Sequence, residues 1–189
     1  MKQPRSLKAR ALQLLAQREQ SRTELRRKLL RHACAELAEE AASGDPDAAE
    51  AAGPAAEQRV DALLDWLEGA KYLSPERFIE SRVHARAARY GNLRIRQELQ
   101  QHGLALDPAS AAALARTELE RARDVHGRRF SGAPGDAAER ARRLRFLTAR
   151  GFSPETVRRV LREAGEVAAE SGPADSPEAP STARRSTSP

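Results

Sequence analysis

Three arginine groupings stand out for what they could do: Arg26 with Arg27, Arg94 with Arg96, and Arg158 with Arg159. A guanidinium offers a planar fork of donors that grips a phosphate or a carboxylate through two parallel hydrogen bonds. Each grouping lies just inside an expected helix start, in a recurring pattern of apolar, basic, two residues, apolar. The three copies are Leu25–Leu29, Ile95–Leu99 and Val157–Leu161. One such grouping is ordinarily a solvated helix face. Three at repeated positions read as a surface built to bind something, and these six arginines are the candidate partner-binding residues.

Other chemistry is sparse. His32, His84, His102 and His126 lie far apart, with no metal-ligand spacing between them, and read as surface polar residues. Cys34 is the sole cysteine, so no disulfide can form within the chain and a reducing compartment fits. No glycine-rich phosphate loop is present. No carboxylate pair is placed for acid–base work. The sequence therefore predicts no catalytic residue, no metal and no cofactor, and an enzyme is the least supported class.

The elements that must carry the arginines are helices. Apolar residues recur at helical spacing in Leu7, Ala11, Leu14 and Leu15; in Val60, Leu63, Leu64 and Leu67; in Ile79, Val83, Ala87 and Tyr90; and in Ala137, Ala141, Leu144 and Thr148. Starts are marked by Ser21 with Glu24, a capping box, and by Ser74-Pro75, Asp107-Pro108, Asp136 with Glu139, and Ser153-Pro154. Leu73 on Phe78 and Phe152 on Val157 fit as hydrophobic staples. Trp66, Tyr72, Phe78, Phe130, Phe146 and Phe152 read as core. Gly91, Gly103, Gly127 and Gly151 read as helix stops. About eight helices are expected.

The pattern repeats. "RGFSPETVRRVLREAG" from Arg150 restates "REQSRTELRRKLLRHA" from Arg18, and "YGNLRIRQELQQHG" from Tyr90 is a third copy. The fold class expected is all-α, a tandem array of three-helix repeats, elongated and curved, that presents one long surface. The divisions expected are an N-terminal repeat (1–33), an acidic insert (34–58), a middle repeat (59–106), a C-terminal repeat (107–165) and a disordered tail (166–189). The insert holds seven acidic residues and no basic ones, and its stretch Ser43–Pro54 reads as flexible.

The 189 residues carry a net charge of +6, with 4% aromatic residues. The excess is concentrated at the ends: residues 1–33 have ten Lys/Arg against two Asp/Glu, and residues 131–165 eight against four. Such a balance favours an anionic partner, either nucleic acid or an acidic protein surface. No apolar run is long enough to cross a bilayer, and the basic start leads into no signal core. A soluble, cytoplasmic protein without membrane contact is expected.

The stretches "ALQLLAQREQSRTELRRKL", "LLDWLEGAKYLSPERFIESRV", "YGNLRIRQELQQHGL" and "RRLRFLTARGFSPETVRRVL", in that order, closely resemble the RecX regulatory proteins of bacteria. The resemblance covers about residues 7–33 and 60–164. It implies tandem three-helix repeats and no catalytic residue. It also implies a partner, the RecA recombinase, bound above all in the groove of the filament that RecA forms on single-stranded DNA. The implied outcome is inhibition of ATPase, strand-exchange and co-protease activities, by a monomer, with DNA contact in some members. The repeat elements it picks out are Ser21–Arg31, Asn92–His102 and Ser153–Glu163. The sequence departs from the family pattern in its long acidic insert, in the lack of an aromatic residue between Arg116 and Phe130, and in its extended tail. From the residues alone, a nucleic-acid-binding helical module without a dedicated protein partner is the alternative.

Overall fold

The structure is a computed structural model that describes residues 6–42 and 46–170. Among the described residues every regular element is a helix. They are α1 (Leu7–Gln17), α2 (Arg22–Ala42), α3 (Pro46–Gly69), α4 (Pro75–Ala87), α5 (Asn92–Gln101), α6 (Pro108–Arg116), α7 (Glu118–Gly127), α8 (Ala137–Ala149) and α9 (Pro154–Glu170). The protein has an all-α tandem repeat fold, with one more helix among these residues than the sequence suggested.

The expected caps position most of the helix starts. The Ser21 hydroxyl accepts from the Glu24 N–H at 3.1 Å. Ser74 accepts from Arg77, Asp107 from Ala109 and Ser110, and Asp136 from Glu139. The Ser153 hydroxyl accepts from the Thr156 N–H. The capping box at Ser21 is only half made. The Glu24 carboxylate turns instead to Arg18 and to Lys28.

Three apolar cores follow one another along the chain. The first joins Leu7 and Ala11 of α1, Leu25, Leu29 and Ala33 of α2, and Ala56, Val60, Leu64 and Leu67 of α3, with Leu73 beyond. The second holds Phe78, Ile95, Leu99 and Leu114, from α4, α5 and α6. The third holds Ala122 and Val125 of α7, Leu147 of α8, and Phe152, Val157, Val160 and Leu161 at α9. The units are therefore α1–α3, α4–α6 and α7–α9. Both internal boundaries fall one helix later than the sequence suggested. The helix carrying Val60–Leu67 closes the first core, so it does not open a middle repeat at residue 59. Leu114 closes the second core, so α6 does not belong to the last repeat.

The acidic insert is also built differently. Residues 34–42 extend α2, and 46–58 are the first turns of α3, with Pro54 inside the helix. Ser43–Pro54 is thus helical from Pro46 onward; residues 43–45 lie outside the described residues. Alanine and glutamate favour helix enough to continue it through a composition that reads as a linker. Residues 166–170, expected in the tail, are the end of α9, which runs to Glu170. The remainder of the expected disordered tail, 171–189, lies outside the described residues.

The sequence repeat marks a helix hairpin rather than a whole unit. The copies are α1–α2, α4–α5 and α8–α9. They stand first in the first two units and last in the third, where α7 precedes the hairpin. Two expected contacts give way as well. Leu73 packs into the first core and Phe78 into the second, so they do not staple one helix. On α8 the buried face is Arg143 and Leu147, while Leu144 is 42% exposed.

Candidate partner-binding surface

The six candidate arginines do not share one fate. Arg26 is engaged within its own unit. Its Nε donates to Asp61 at 2.7 Å, and its Nη2 donates to Asp61 at 2.9 Å and to Glu57 at 3.2 Å. Those hydrogen bonds raise its pKa. The fork meant for a partner is thus closed on α3, whose acidic residues lie opposite basic α2. Arg22 does the same with Asp65 and Glu68. Arg27, one residue on, is exposed and makes no ion pair or hydrogen bond through its side chain among the described residues.

Arg94 and Arg96 are exposed on α5 and have no such partner either. Arg158 is exposed on α9 in the same way. Arg159 is half engaged: its Nε donates to Glu163 at 3.2 Å, and that carboxylate also receives Arg123 at 2.8 Å. Arg123, helped by Arg159, holds Glu163 at about 2. Each hairpin therefore leaves at least one guanidinium open: Arg27 in the first, Arg94 and Arg96 in the second, Arg158 in the third.

The hairpins are held by polar joints that the sequence did not reveal. Between the first two units, the Ser21 hydroxyl and His102 Nδ1 are 2.8 Å apart, and Thr23 donates to the His102 carbonyl. Arg77 pairs with Glu19 across the same seam. Burial lowers the His102 pKa, and Arg82 adds to the effect. His102 is thus a joint residue rather than a surface one. His126 is buried against Phe130, and its Nε2 has no hydrogen-bond partner among the described residues.

Between the last two units the backbones themselves join. Gly91 N–H donates to the Arg150 carbonyl at 2.9 Å, and Leu93 N–H to the Gly151 carbonyl at 3.0 Å. A Cβ on Gly91 would stand 2.2 Å from the Gly151 oxygen, and one on Gly151 would stand 2.5 Å from Arg94. Gly151 also has φ +78°. Gly91 is therefore the N-cap of α5 at a close approach, more than a helix stop.

Glu118 sits buried in this joint. One carboxylate oxygen accepts from the Asn92 N–H at 2.8 Å; the other accepts from the Ser153 hydroxyl at 2.8 Å and the Thr156 hydroxyl at 3.1 Å. One side chain thus serves the starts of α5 and α9, where a helix N-terminus favours negative charge. Arg121 donates from the next turn to the carbonyls of Ala87, Tyr90 and Leu114. Farther on, Arg143 is 1% exposed, pairs with Glu139, and ties down the carbonyls of Ser131, Gly132 and Ala133.

Trp66 and Tyr72 correct the expectation of an aromatic core. They stack at 5.8 Å, are 42% and 50% exposed, and Lys8 sits over the Trp66 ring. Phe78 and Phe152 are buried as expected. No group of three or more metal-ligating side chains occurs among the described residues, and none of their helices is long and apolar enough to cross a membrane.

Known proteins with the same features place this architecture. A family profile described as "RecX, second three-helix domain" matches residues 76–117, which are α4–α6, and "RecX, third three-helix domain" matches 117–161, which fall in α7–α9. "Regulatory protein RecX" of Ralstonia pickettii is 47% identical over 88% of this chain and 92% of its own length. The protein of that name from Leptothrix cholodnii is 47% identical over 83% of this chain and 88% of its own, and that from Herbaspirillum seropedicae 45% over 85% and 92%. With the matched domains coinciding with the second and third cores, and the relatives spanning all three, the chain belongs to the RecX family of regulatory proteins.

Proposed function

We propose that this chain binds the RecA recombinase, in the groove of the helical filament that RecA forms on single-stranded DNA. Bound there, as a cytoplasmic monomer, it restrains ATPase, strand-exchange and co-protease activities. The observation that carries this reading is the recurrence of an open arginine in all three hairpins: Arg27, Arg94 with Arg96, and Arg158. A filament repeats one subunit at regular intervals, so an open guanidinium from each linked unit, though not at one repeat position, can meet carboxylates or phosphates on successive subunits. Linked weak contacts gain from effective concentration without any single strong one. Arg26 drops out of the surface because α3 occupies it.

The rigid joint between the last two units suits this role. Two backbone hydrogen bonds and the Glu118 bridge fix the spacing of α5 and α9, so their arginines are held at a set separation before binding. Preorganisation lowers the ordering cost of association.

The experiment is co-sedimentation with RecA filaments on single-stranded DNA, beside the same DNA without RecA at physiological salt. Retention that depends on RecA is expected. Equal retention on bare DNA and on filaments would put the nucleic-acid-binding alternative in its place.

A further inference from the structure

A cleft of about 580 Å³ opens over the joint between the second and third units. Its wall is formed by Arg89, Arg128, Arg129 and Arg150, with the rings of Tyr90 and Phe146. No carboxylate lines it. Arg89, Arg128 and Arg129 are exposed, and their side chains make no ion pair or hydrogen bond among the described residues. Arg150 lies 4.0 Å over the Phe146 ring. Elsewhere in this protein, arginines near carboxylates close on them, as Arg22, Arg26, Arg86 and Arg123 do. Here four arginines line one cleft without one.

Helix geometry offers a plainer role, which is too small to account for the cluster. Arg89, Arg128 and Arg150 follow the ends of α4, α7 and α8, and basic residues suit helix C-termini. Each helix end contributes about half a negative charge. Three ends offset fewer than two of the four guanidinium charges, so the cleft keeps a net positive field. These four arginines form no group in the sequence, because they come from three separated turns that only the fold brings together.

We propose that this cleft is a binding site for the phosphodiester backbone of single-stranded nucleic acid. Planar forks suit phosphate oxygens, and a chain of phosphates can engage several at once. Aromatic rings beside basic side chains are the arrangement with which sequence-tolerant sites receive unstacked bases. An acidic protein segment would match the charge but has no bases to stack on the rings. The four arginines of this cleft are not among the open arginines of the hairpins, and the proposal does not depend on the RecA reading.

The test uses the full chain without RecA and a short fluorescein-labelled oligothymidylate, read by fluorescence anisotropy between about 50 and about 200 mM salt. Arg128→Glu with Arg129→Glu is compared with wild type and with Arg31→Glu plus Arg59→Glu, an equal change of charge at exposed positions on the first unit. The cleft variant is expected to bind at least about tenfold more weakly, and to lose about 1.4 from the salt slope, two contacts at about 0.7 each. The control is expected to stay within about twofold of wild type. A second cleft variant, Arg89→Gln with Arg128→Gln, removes charge without repulsion and guards against misfolding, with circular dichroism recorded for all. Equal weakening by the control would reduce the effect to overall charge and overturn the proposal. So would absence of wild-type binding at low salt, or cleft variants that bind DNA normally and lose only their effect on RecA.

Discussion

Arg26 and Arg158 occupy the same place in their hairpins, yet Arg26 grips Asp61 on α3 while Arg158 faces solvent. The difference lies in what stands opposite: Asp61 and Glu57 of α3 receive Arg26, whereas no carboxylate pairs with Arg158 among the described residues. Side chains that matter most to stability are elsewhere. Glu118 is buried and serves three donors. Replacing it with alanine strands the Asn92 N–H at a buried joint. The expected loss is about 2–3 kcal/mol, since an unsatisfied buried donor costs its desolvation. A lower urea midpoint at unchanged slope would register it. Arg158→Ala should leave the midpoint in place. Equal midpoints for both variants would remove Glu118 from its bridging role.

The titrating residues give a pH dependence of definite sign. Burial, before any charge effect, lowers the pKa of His32, His102 and His126. A histidine whose folded pKa lies below its unfolded value resists protonation in the native state. Stability is then full above the ordinary value of about 6.5 and falls as pH drops through the window below it. Glu24 continues the trend. Burial alone would raise its carboxyl, but hydrogen bonds from Arg18 and Lys28 more than reverse this and hold it at about 2. Its contribution is lost between the ordinary carboxylate range and that value. Urea midpoints should therefore decline from about pH 7 to about pH 5, and again below about pH 4. A midpoint that rises on acidification would contradict the buried, neutral state of these histidines.

At the level of elements, the hairpin is what the sequence spells out and the unit is what the fold assembles. Caps at Ser74, Asp107, Asp136 and Ser153 were legible because an N-cap is a local bond between neighbours in sequence. Unit boundaries were not, because Val60–Leu67 and Leu114 look alike in periodicity whichever neighbour they face. The acidic stretch misled by composition, since Gly53 and Pro54 sit within α3 without breaking it. Leu144 misled on α8, because Arg143 takes the buried position through its carbonyl and Glu139 contacts. Glu118 and Arg121 carried one available signal, charged residues set on the stripe of Leu114, Ala122 and Val125. The turn of the middle hairpin offers a sharp test. Gly91→Ala forces a Cβ into the Gly151 backbone, which cannot give way as a flexible side chain would. The expected cost is at least about 2 kcal/mol, in the range of strained or overpacked substitutions. Thermal unfolding should show it, whereas Gly127→Ala, with open space around its Cβ, should melt near wild type. Equal melting of the two variants would mean that the second and third units are not joined at this contact.

Across the whole molecule, three small cores in series hold three hairpins, and each hairpin leaves an arginine unengaged. Internal ion pairs absorb much of the charge that the sequence displays, above all between α2 and α3. The remaining open guanidiniums are the surface proposed to meet the RecA filament. The most direct test is the RecA ATPase on single-stranded DNA, titrated with wild type and with the triple variant Arg27→Glu, Arg96→Glu and Arg158→Glu. All three positions are exposed and free of side-chain ion pairs and hydrogen bonds among the described residues, so helicity by circular dichroism should be unchanged. The triple variant is expected to need at least about tenfold more protein for half-inhibition, which corresponds to about 1.4 kcal/mol spread over three contacts. Inhibition by the triple variant at the wild-type concentration, with its fold intact, would show that these arginines only solvate their helices and that the repeated hairpin serves packing alone.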